Sequence, residues 1–383
     1  MGNCILQLAD GIVLIASDHT WIEGKAIQQL ETTARLPGMQ YVAGMPDLHP
    51  GRGYPVGAAF FSRERFYPAL VGNDIGCGMA LWQTDLPVAK LRLDKLEQRL
   101  GNIDEPLAES DLKESWQDGI DTVGLPLAGH ERSLGTIGGG NHFAELQQLD
   151  AVYDEQAVLA LQLDRSQLLL LVHSGSRGLG EAILREQIEQ FGHHGLAEDS
   201  AEAQQYLARH DGALRFAERN RDLIARRMLG RLRAHGSKRL DVHHNLVSRA
   251  TIAGYHGWLH RKGATPSDAG PVVIPGSRGD YSYLVQPVVD DRSLRSLAHG
   301  AGRKWQRSDC KDRLRQRYTA EQLARTSLGS RVICADRSLL FEEAPEAYKP
   351  IDSVVGALRD AGLVQVLARL KPVLTYKTRG ENS

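Results

Sequence analysis

The sequence has little cysteine, no long apolar run and almost no net charge. Its 383 residues include four cysteines, at Cys4, Cys77, Cys310 and Cys334, and none of them forms a Cys-x-x-Cys pair. This spacing argues against a disulfide framework and favours a reducing compartment. No apolar run approaches the ~18 residues of a membrane span, and the first residues lack a basic leader. We therefore expect a cytoplasmic protein with no membrane partner.

Charge is nearly balanced over the chain but uneven along it. The formal net charge is −1 at pH 7, so the composition as a whole does not indicate an acidic partner. Two segments are basic: residues 215–239 and residues 292–317 each hold nine lysines and arginines against two acids. Such segments form either a basic face that binds a polyanion or the solvated faces of surface helices.

Hydrophobic periodicity predicts a mixture of strands and helices. Short apolar runs cut by glycine and proline indicate strands in the first third of the chain. Leu168 to Val172 are predicted as a buried strand, followed by a glycine loop and a helix. Residues 199–234 have apolar positions at helical spacing, and residues 88–118 and 352–370 are predicted as further helices, with "PVLTYKT" as a terminal strand.

These elements favour a mixed α/β fold. No linker rich in proline or serine interrupts the chain. We therefore expect one large domain over residues 1–383, with central β-sheets or a sandwich flanked by helices. The long helical pattern suggests a helical insertion near residues 185–235.

Glycine is abundant, and its clusters contain side chains that bind metals. Asp74 and Cys77 stand in "GNDIGCGM". Four histidines also lie beside glycine or asparagine in loop-like settings: His142, His173, His244 and His299. A carboxylate, a thiolate and imidazoles from separate loops suit a transition-metal site, whose metal the sequence does not select. The alternatives are structural: each histidine could be satisfied in the core, and Cys77 could be a small buried hydrophobic residue.

Three glycine loops each carry an arginine and suit a phosphorylated ligand. They are "HSGSRGLG", "PGSRGDYS" and "HGAGR", and the first of them follows a predicted strand and precedes a helix. None matches an established phosphate-loop pattern. In the third loop, a neutral His299 whose second nitrogen is hydrogen-bonded would be a nucleophile toward phosphorus. The alternative is that His299 is another metal ligand or a helix cap.

Nine motifs together resemble the RtcB family of RNA ligases. They occur in the order of that family and extend from about Met45 to Lys377, which is nearly the whole chain. The motifs are "MPDLHPGRG", "VGNDIGCGM", "GTIGGGNHFAE", "HSGSRGLG", "HHN", "HRKGAT", "IPGSRGDYSYLV", "HGAGR" and "EAPEAYKPID".

The resemblance implies a particular reaction and a two-metal site. RNA ends bearing a 3′-phosphate or a 2′,3′-cyclic phosphate would be joined to 5′-hydroxyl ends, using GTP and two Mn²⁺ ions. His299 would take GMP from GTP, and the GMP would then pass to the RNA 3′-phosphate. Asp74 and His142 would hold one ion, His173 and His244 the other, and the Cys77 thiolate would bridge both. The glycines beside Cys77 would keep side chains away from the sulfur.

The resemblance also implies nucleotide and RNA contacts. Glu145 and Lys377 would recognise the base, and Tyr348 would pack near it. The implied nucleotide contacts are Asn141, His142, Phe143, Ala144, Glu145, His244, Asn245, Pro275, Gly276, Ser277, Arg278, Ser282, His299, Gly300, Ala301, Gly302, Tyr348 and Lys377. Asp47 would lie near the incoming 5′-hydroxyl, and the RNA phosphates would be held by Arg177, Lys262 and Arg303.

The chain departs from the family pattern in two ways. Lys377 is followed by Thr378, where the family commonly has glycine, so strict selection of guanine stays open. The chain is also compact and resembles a shorter bacterial branch, whose genes often neighbour a peptide-release-factor homologue. This branch implies repair of broken tRNA or rRNA ends and a functional link to that homologue.

Two other functions remain as alternatives. One is a metal-dependent phosphodiesterase or phosphatase that acts on RNA ends, with His299 as a ligand or a base. The other is an RNA-binding protein that has lost catalysis. Formation of a covalent protein–GMP adduct would distinguish the ligase from the first. Joining of a cyclic-phosphate end to a 5′-hydroxyl end, abolished in Cys77→Ala, would exclude the second.

Overall fold

The computed structural model describes residues 4–107 and 129–379. The helices are α1 (Gly24–Thr33), α2 (Leu93–Leu100), α3 (Glu155–Ala160), α4 (Gly178–Phe191), α5 (Ala201–Leu232), α6 (Arg307–Leu314), α7 (Ala320–Leu323), α8 (Arg337–Glu342) and α9 (Ile351–Asp360). Among the residues described, no helix combines the length and the apolar character that crossing a membrane requires.

The strands fall into two large sheets and two small ribbons. They are β1 (Ile5–Ala9), β2 (Ile12–Ile15), β3 (Met39–His49), β4 (Val56–Ser62), β5 (Arg65–Phe66), β6 (Gly78–Pro87), β7 (Phe143–Val152), β8 (Gln167–Ser174), β9 (Leu196–Ala197), β10 (Gly236–His243), β11 (Asn245–Ile252), β12 (Tyr255–Lys262), β13 (Ala264–Pro266), β14 (Val272–Pro275), β15 (Ser282–Pro287), β16 (Ser296–Ala298), β17 (Arg331–Cys334) and β18 (Val364–Thr378). The mixed α/β class predicted from the sequence is therefore confirmed.

The two large sheets are predominantly antiparallel. The six-stranded sheet has the order β1-β2-β3-β4-β12-β11. The eight-stranded sheet has the order β10-β6-β8-β7-β18-β15-β14, and β17 pairs with β18 beside this path. Only the β2–β3 and β17–β18 pairs are parallel among the described strand pairs of these sheets. In an antiparallel pair, the start of one strand and the end of its neighbour lie together at one edge of the sheet.

A hydrophobic core joins the two large sheets. Met45 and Phe61 of the six-stranded sheet pack in one cluster with Ile274 and Val285 of the eight-stranded sheet. Helix α9 completes this cluster with Val354 and its buried neighbours. Burial of such side chains stabilises the fold by roughly 1.5–3 kcal/mol each. The cluster fixes the position of one sheet against the other.

Helix α5 covers the outer face of the eight-stranded sheet. Its apolar positions Ile224 and Met228 pack against Ala80, Leu170 and other strand residues. Ser200 caps the helix, since its side chain accepts a hydrogen bond from the amide of Ala203. The helix predicted over residues 199–234 is thus confirmed, and it lies within the core packing of the sheet.

Two of the predicted helices differ from the structure. The predicted helix at 352–370 ends at Asp360, because Gly362 adopts φ +74 and Leu363 donates back to the Leu358 carbonyl. The residues that follow begin β18. The predicted helix at 88–118 is confirmed only for α2, and residues 101–107 carry no helix. Its remaining part lies outside the described residues.

Candidate active site

Five candidate metal ligands meet at one edge of the eight-stranded sheet. Asp74 and Cys77 precede β6, His142 precedes β7, His173 lies near the end of β8, and His244 follows β10. These four strands are antiparallel neighbours, so the starts of β6 and β7 lie beside the ends of β8 and β10. The pairing of these strands brings residues far apart in sequence to one edge of the sheet.

The donor atoms of these residues form two overlapping groups. The Cys77 Sγ lies 3.3 Å from Nε2 of His142 and 3.2 Å from Nε2 of His173. Oδ2 of Asp74 is 2.8 Å from the His142 Nε2. Nε2 of His173 is 3.4 Å from Nε2 of His244. Cys77 therefore belongs to both groups, Asp74–Cys77–His142 and Cys77–His173–His244.

The protonation states of these side chains fit a metal centre. Burial holds the pKa of His173 and His244 well below 6.5, so both rings are neutral. Burial tends to raise the pKa of Asp74, but His142 outweighs it and the net shift is downward. Burial and the nearby Asp74 raise the pKa of the Cys77 thiol well above 9. A cation bound here would displace that thiol proton and balance the carboxylate.

Backbone carbonyls orient two of the imidazole rings. Nδ1 of His142 lies 3.2 Å from the Ile137 carbonyl, and Nδ1 of His173 lies 3.2 Å from the Asn141 carbonyl. When Nδ1 carries the proton, Nε2 keeps its lone pair for a metal. In the same group, the buried Oδ1 of Asp74 has no hydrogen-bond partner among the described residues. The donor set is thus oriented and incompletely satisfied, as a metal centre requires.

The glycines beside Cys77 have a different purpose from the one expected. A Cβ on Gly76 would lie 2.8 Å from the Cβ of Ala217 on α5, and Gly76 adopts φ +75. A Cβ on Gly78 would lie 2.5 Å from the Val242 carbonyl of β10. Both positions face packed protein, so the expectation that these glycines clear space around the sulfur is wrong. They allow the loop to pack closely against α5 and β10.

His299 is held by a buried carboxylate beside this cluster. Its Nδ1 lies 2.6 Å from Oδ2 of Asp47, and its backbone amide donates to the same oxygen at 3.2 Å. The His299 ring centroid is 4.9 Å from that of His244. Asp47 is fully buried, so the structure places it behind the histidine, and the expected contact with an incoming RNA hydroxyl is not supported. Nε2 of His299 is left as the free ring nitrogen.

A buried lysine orients Asp47, and the sequence reasoning missed it. Nζ of Lys349 donates to the carbonyls of Pro46 at 2.9 Å and of Leu48 at 2.8 Å. These residues flank Asp47. Burial lowers the pKa of Lys349 to about 8. The signal was present in the sequence, since Lys349 stands in the motif "EAPEAYKPID", but its two acceptors are ~300 positions away in the chain.

A cavity of about 300 Å³ is lined by His299 and, among the candidate metal ligands, by His173. Most of the residues expected to contact a nucleotide line it. They are Asn141, Phe143, Glu145, Pro275, Gly276, Ser277, Arg278, His299, Gly300, Ala301, Gly302, Tyr348 and Lys377. His142 and His244 belong to the metal cluster instead.

Three of the expected nucleotide contacts do not line the cavity. The Ala144 side chain packs in the core under α5, because alternation along β7 turns it away from the face that Phe143 and Glu145 present. Asn245 donates to the Asp74 carbonyl at 3.0 Å and accepts from the Gly263 amide at 2.6 Å. Ser282 accepts from the Gln147 side chain at 2.9 Å. The Asn245 and Ser282 side chains therefore support the site from behind.

One end of the cavity lies against the C-terminal part of β18, and polar side chains there are paired by hydrogen bonds. Glu145 accepts from Gln147 at 2.6 Å and from the Thr375 hydroxyl. Burial raises the pKa of Glu145. Burial lowers the pKa of Lys377 to about 8, with Glu343 acting in the opposite direction. This end, lined by Glu145, Thr375, Lys377, Glu343 and Tyr348, is called the base end below.

Glu343 organises the base end and was not predicted. It accepts from Arg303 at 3.1 Å and from the Tyr348 hydroxyl, and Arg307 lies 3.5 Å away. Burial tends to raise its pKa, but Lys377 and the two arginines produce a net downward shift. Glu343 is therefore ionised although it is buried. Glu343 directly follows α8 and opens the motif "EAPEAYKPID", but no local pattern indicates its contacts with Arg303 and Arg307.

Two arginines of the cavity differ in how fully they are bound. Arg303 donates to Glu343, to the Tyr348 hydroxyl and to the Glu342 carbonyl, so its guanidinium is engaged within the protein. The expectation that Arg303 holds RNA phosphates is therefore not supported. Arg278 donates to the Leu340 carbonyl at 2.7 Å. Its buried Nε and Nη1 have no hydrogen-bond partner among the described residues, so Arg278 retains donors for a ligand.

Arg177 and Lys262 lie close to the loop that carries Asp74. A Cβ on Gly72 would lie 2.5 Å from the Lys262 amine. Burial lowers the pKa of Lys262 to about 8. Burial also lowers the pKa of Arg177, which Asp74 partly offsets. Both cations therefore flank the cluster of Asp74, Cys77, His142, His173 and His244, which is called the metal end below.

Part of the charge in the two basic segments is engaged within the protein. Arg292 and Arg295 pair with Asp290 and Asp291 at 2.6 and 2.7 Å. On α5, Arg221 is fully buried. Their composition predicted a basic surface, but part of that charge is neutralised by local acids or used inside the fold.

Comparisons with known proteins agree with the motifs. The family model described as tRNA-splicing ligase RtcB matches residues 29–119 and 126–378. The RNA-splicing ligase RtcB2 of Escherichia coli (strain ATCC 25922) is 59% identical over 384 residues, covering 99% of each chain. The RNA-splicing ligase RtcB of E. coli K12 is 31% identical, covering 93% of this chain and 95% of its own. The tRNA-splicing ligase RtcB of Archaeoglobus fulgidus is 30% identical, with 92% and 91% covered.

These matches define the chain first as an enzyme that ligates RNA. The match extends through each segment that carries a candidate ligand, His299 and the base end. The chain belongs to the RtcB family. Its site thereby acquires a chemical context, and the roles of individual residues can be argued from their geometry.

Proposed function

We propose that this RNA ligase joins ends bearing a 3′-phosphate or a 2′,3′-cyclic phosphate to 5′-hydroxyl ends, with GTP and two Mn²⁺ ions. Membership of the family supports RNA ligation. The His–Cys–Asp cluster supports the use of metal. The observation that carries the proposal is the pair formed by His299 and Asp47, held 2.6 Å apart beside that cluster.

The Asp47 carboxylate prepares His299 for nucleophilic attack. It accepts a hydrogen bond from the Nδ1–H group of His299, so the lone pair on Nε2 is available. As Nε2 bonds to phosphorus, the ring gains positive charge, which the adjacent buried carboxylate stabilises. Lys349 holds the carbonyls on both sides of Asp47 and so limits its movement.

The reaction would proceed in three displacements at phosphorus. Nε2 of His299 attacks the α-phosphorus of GTP, the P–O bond to the leaving group breaks, and pyrophosphate departs. An oxygen of the RNA 3′-phosphate then attacks that phosphorus, and the P–N bond breaks to free His299. Finally the 5′-hydroxyl attacks the RNA 3′-phosphorus, losing its proton, and GMP leaves. A cyclic phosphate end must first be opened by water to a 3′-phosphate.

Two Mn²⁺ ions would be held by Asp74, His142, His173 and His244, with Cys77 between them. Bound there, the ions would neutralise phosphate charge and stabilise the leaving oxygen. The mixture of carboxylate, imidazole and thiolate donors is suited to a first-row transition ion. Arg177 and Lys262 flank the loop of Asp74 and would bind further phosphates.

The base end would select guanine. Buried Glu145 offers acceptors for the N–H groups of the base, and Lys377 offers a donor for its carbonyl oxygen. The unpartnered donors of Arg278 provide further hydrogen bonds within the same cavity.

We infer that the RNA partners are broken tRNA or rRNA ends in the cytoplasm, with a functional link to a peptide-release-factor homologue.

Incubation with GTP labelled at the α-phosphate, in the presence of Mn²⁺, tests the proposal. An acid-labile protein–GMP adduct is expected in the wild-type protein and not in His299→Ala. His256→Ala is a matched control, because His256 lies on the β11–β12 hairpin and its ring pairs with the Thr251 hydroxyl at 2.9 Å. An adduct that persists in His299→Ala would assign the nucleophile to another residue. Metal-dependent phosphate release without joining would replace the ligase mechanism with hydrolysis of RNA ends.

A further inference from the structure

Two consecutive polar residues are buried in the middle of α5, and the proposed reaction uses neither of them. Asn220 and Arg221 are both fully buried. They lie on a helix whose other buried positions are mostly apolar. Burying a guanidinium is costly unless hydrogen bonds and charge compensate for lost water. The hydrogen-bond partners of Asn220 and Arg221 therefore indicate the role of these two side chains.

Arg221 binds the segments that carry three of the metal ligands. Its Nη1 donates to the carbonyl of Gly76 at 2.8 Å and to that of Ser174 at 2.9 Å. Gly76 directly precedes Cys77, and Ser174 directly follows His173. Its Nε and Nη2 lie 2.8 and 2.7 Å from Oδ1 of Asp241.

The same guanidinium reaches the chain just before His244. Nη2 of Arg221 lies 3.3 Å from Nδ1 of His243, and that nitrogen also lies 2.8 Å from the Gly76 carbonyl. Asp241, the ionic partner, belongs to β10, which ends at His243. One side chain thus links the loop of Cys77, the end of β8 and the end of β10.

Asn220 binds the segment that carries the fourth ligand. Its Oδ1 accepts from the Gly135 amide at 2.8 Å. Its Nδ2 donates to the Ser174 hydroxyl at 3.0 Å and lies 3.2 Å from the Gly175 carbonyl. The Ser174 hydroxyl in turn donates to the Ile137 carbonyl, which also contacts Nδ1 of His142.

We propose that Asn220 and Arg221 are positioning residues that make α5 the support of the two-metal centre. Arg221 sets the relative positions of Cys77, His173 and His244, and Asn220 sets His142 against His173. The inference rests on the proposed metal site and deepens it. The close approach of Gly76 to Ala217 shows that the ligand loop is packed directly against this helix.

Arginine suits this position for a geometric reason. Its fork directs donors to two carbonyls and a carboxylate at once, whereas lysine has a single nitrogen on a flexible stem. Arg221→Lys therefore keeps the charge beside Asp241 but loses the shared geometry. Arg209→Lys is a matched control, because Arg209 lies on the same helix and pairs at 2.6 Å with Glu186 of α4, away from the ligand segments.

Metal titration of the full chain tests the proposal. Mn²⁺ binding is followed by electron paramagnetic resonance, and Co²⁺ binding by its thiolate charge-transfer absorption. We expect Arg221→Lys and Asn220→Ser to bind Mn²⁺ about 10- to 100-fold more weakly and Arg209→Lys to bind as the wild type does. In Arg221→Lys, the thiolate absorption should also weaken, because Cys77 is displaced. Circular dichroism in chelator establishes that each variant is folded.

The outcomes separate this inference from the proposed function. Failure of the wild type to bind Mn²⁺ or Co²⁺ would overturn the metal site itself. Wild-type metal affinity in both variants, whatever their thermal stability, would show that these residues serve only packing. If Arg221→Lys does not fold, Asn220→Ser alone decides, with its effect measured on metal affinity.

Discussion

The metal end and the base end of the site differ in how their charged and polar groups are paired. The metal end gathers a carboxylate, a thiol and three imidazoles whose donor atoms face one another within 4.8 Å in each group. The base end already pairs its charges, with Glu343 between Arg303 and Arg307. The metal end leaves the buried Oδ1 of Asp74 without a hydrogen-bond partner among the described residues, whereas the base end presents a balanced set of hydrogen bonds. Under the proposed function, the metal end would supply chemistry and the base end would supply selection.

Removing the shared ligand should have the largest effect. Cys77→Ala takes a donor from both groups, so we expect the Mn²⁺ stoichiometry to fall below two and ligation to fall at least ~10³-fold. Joining of a cyclic-phosphate end to a 5′-hydroxyl end measures this. Cys4→Ala is the matched control, since Cys4 is a buried cysteine near the start of the six-stranded sheet. Retention of two tightly bound ions in Cys77→Ala would contradict the bridging role.

Asp47→Asn should impair nucleophilic attack by His299 and leave metal binding unchanged. Loss of the carboxylate leaves His299 without the charge that fixes its tautomer and stabilises the developing positive ring. We expect protein–GMP adduct formation to slow by about 10²- to 10³-fold under single-turnover conditions, with Mn²⁺ affinity unchanged. A parallel loss of metal affinity would mean that Asp47 acts through the metal end.

Glu145→Gln should weaken selection at the base end without changing the metal end. A buried carboxylate that accepts the N–H groups of guanine contributes ~1.5–3 kcal/mol, so the preference for GTP over ATP should fall about 10- to 100-fold. Asp150→Asn, on the same strand but paired with Arg369 at 2.5 Å, is the control. The ratio of adduct rates with the two nucleotides is the measurement, and an unchanged ratio would place base recognition elsewhere.

The smallest expected effect is a pH dependence of base binding. Because burial lowers the pKa of Lys377 to about 8, its charge is present below that pH and is lost above it. Guanosine affinity should therefore weaken by about fivefold, ~1 kcal/mol, between about pH 7 and about pH 8.5. The neighbouring Glu343, whose pKa is shifted downward, keeps its charge over this range, and burial raises the pKa of Cys334. A similar change in Lys377→Gln would assign the titration to another group.

The fold was partly predictable because local patterns were strong. Helix α5 and the early strands follow the apolar spacing that predicted them. The helix expected over residues 352–370 ends at Asp360, and the prediction extends too far because the apolar residues of β18 fit both periods over a short window. The left-handed Gly362 follows α9, and β18 begins at Val364 and pairs with β7 at eight positions.

The sequence by itself determined which chemical groups the site contains. Glycine loops rich in histidine, aspartate and cysteine marked the ligands, and His299 was singled out by its loop. Only the tertiary structure decided how they act together. Asp47 meets His299 across 252 positions, and Arg221 reaches Gly76 across 145. Such contacts depend on strand register and on the packing of α5, and no local pattern of side chains encodes which distant carbonyl or carboxylate will lie within hydrogen-bond distance.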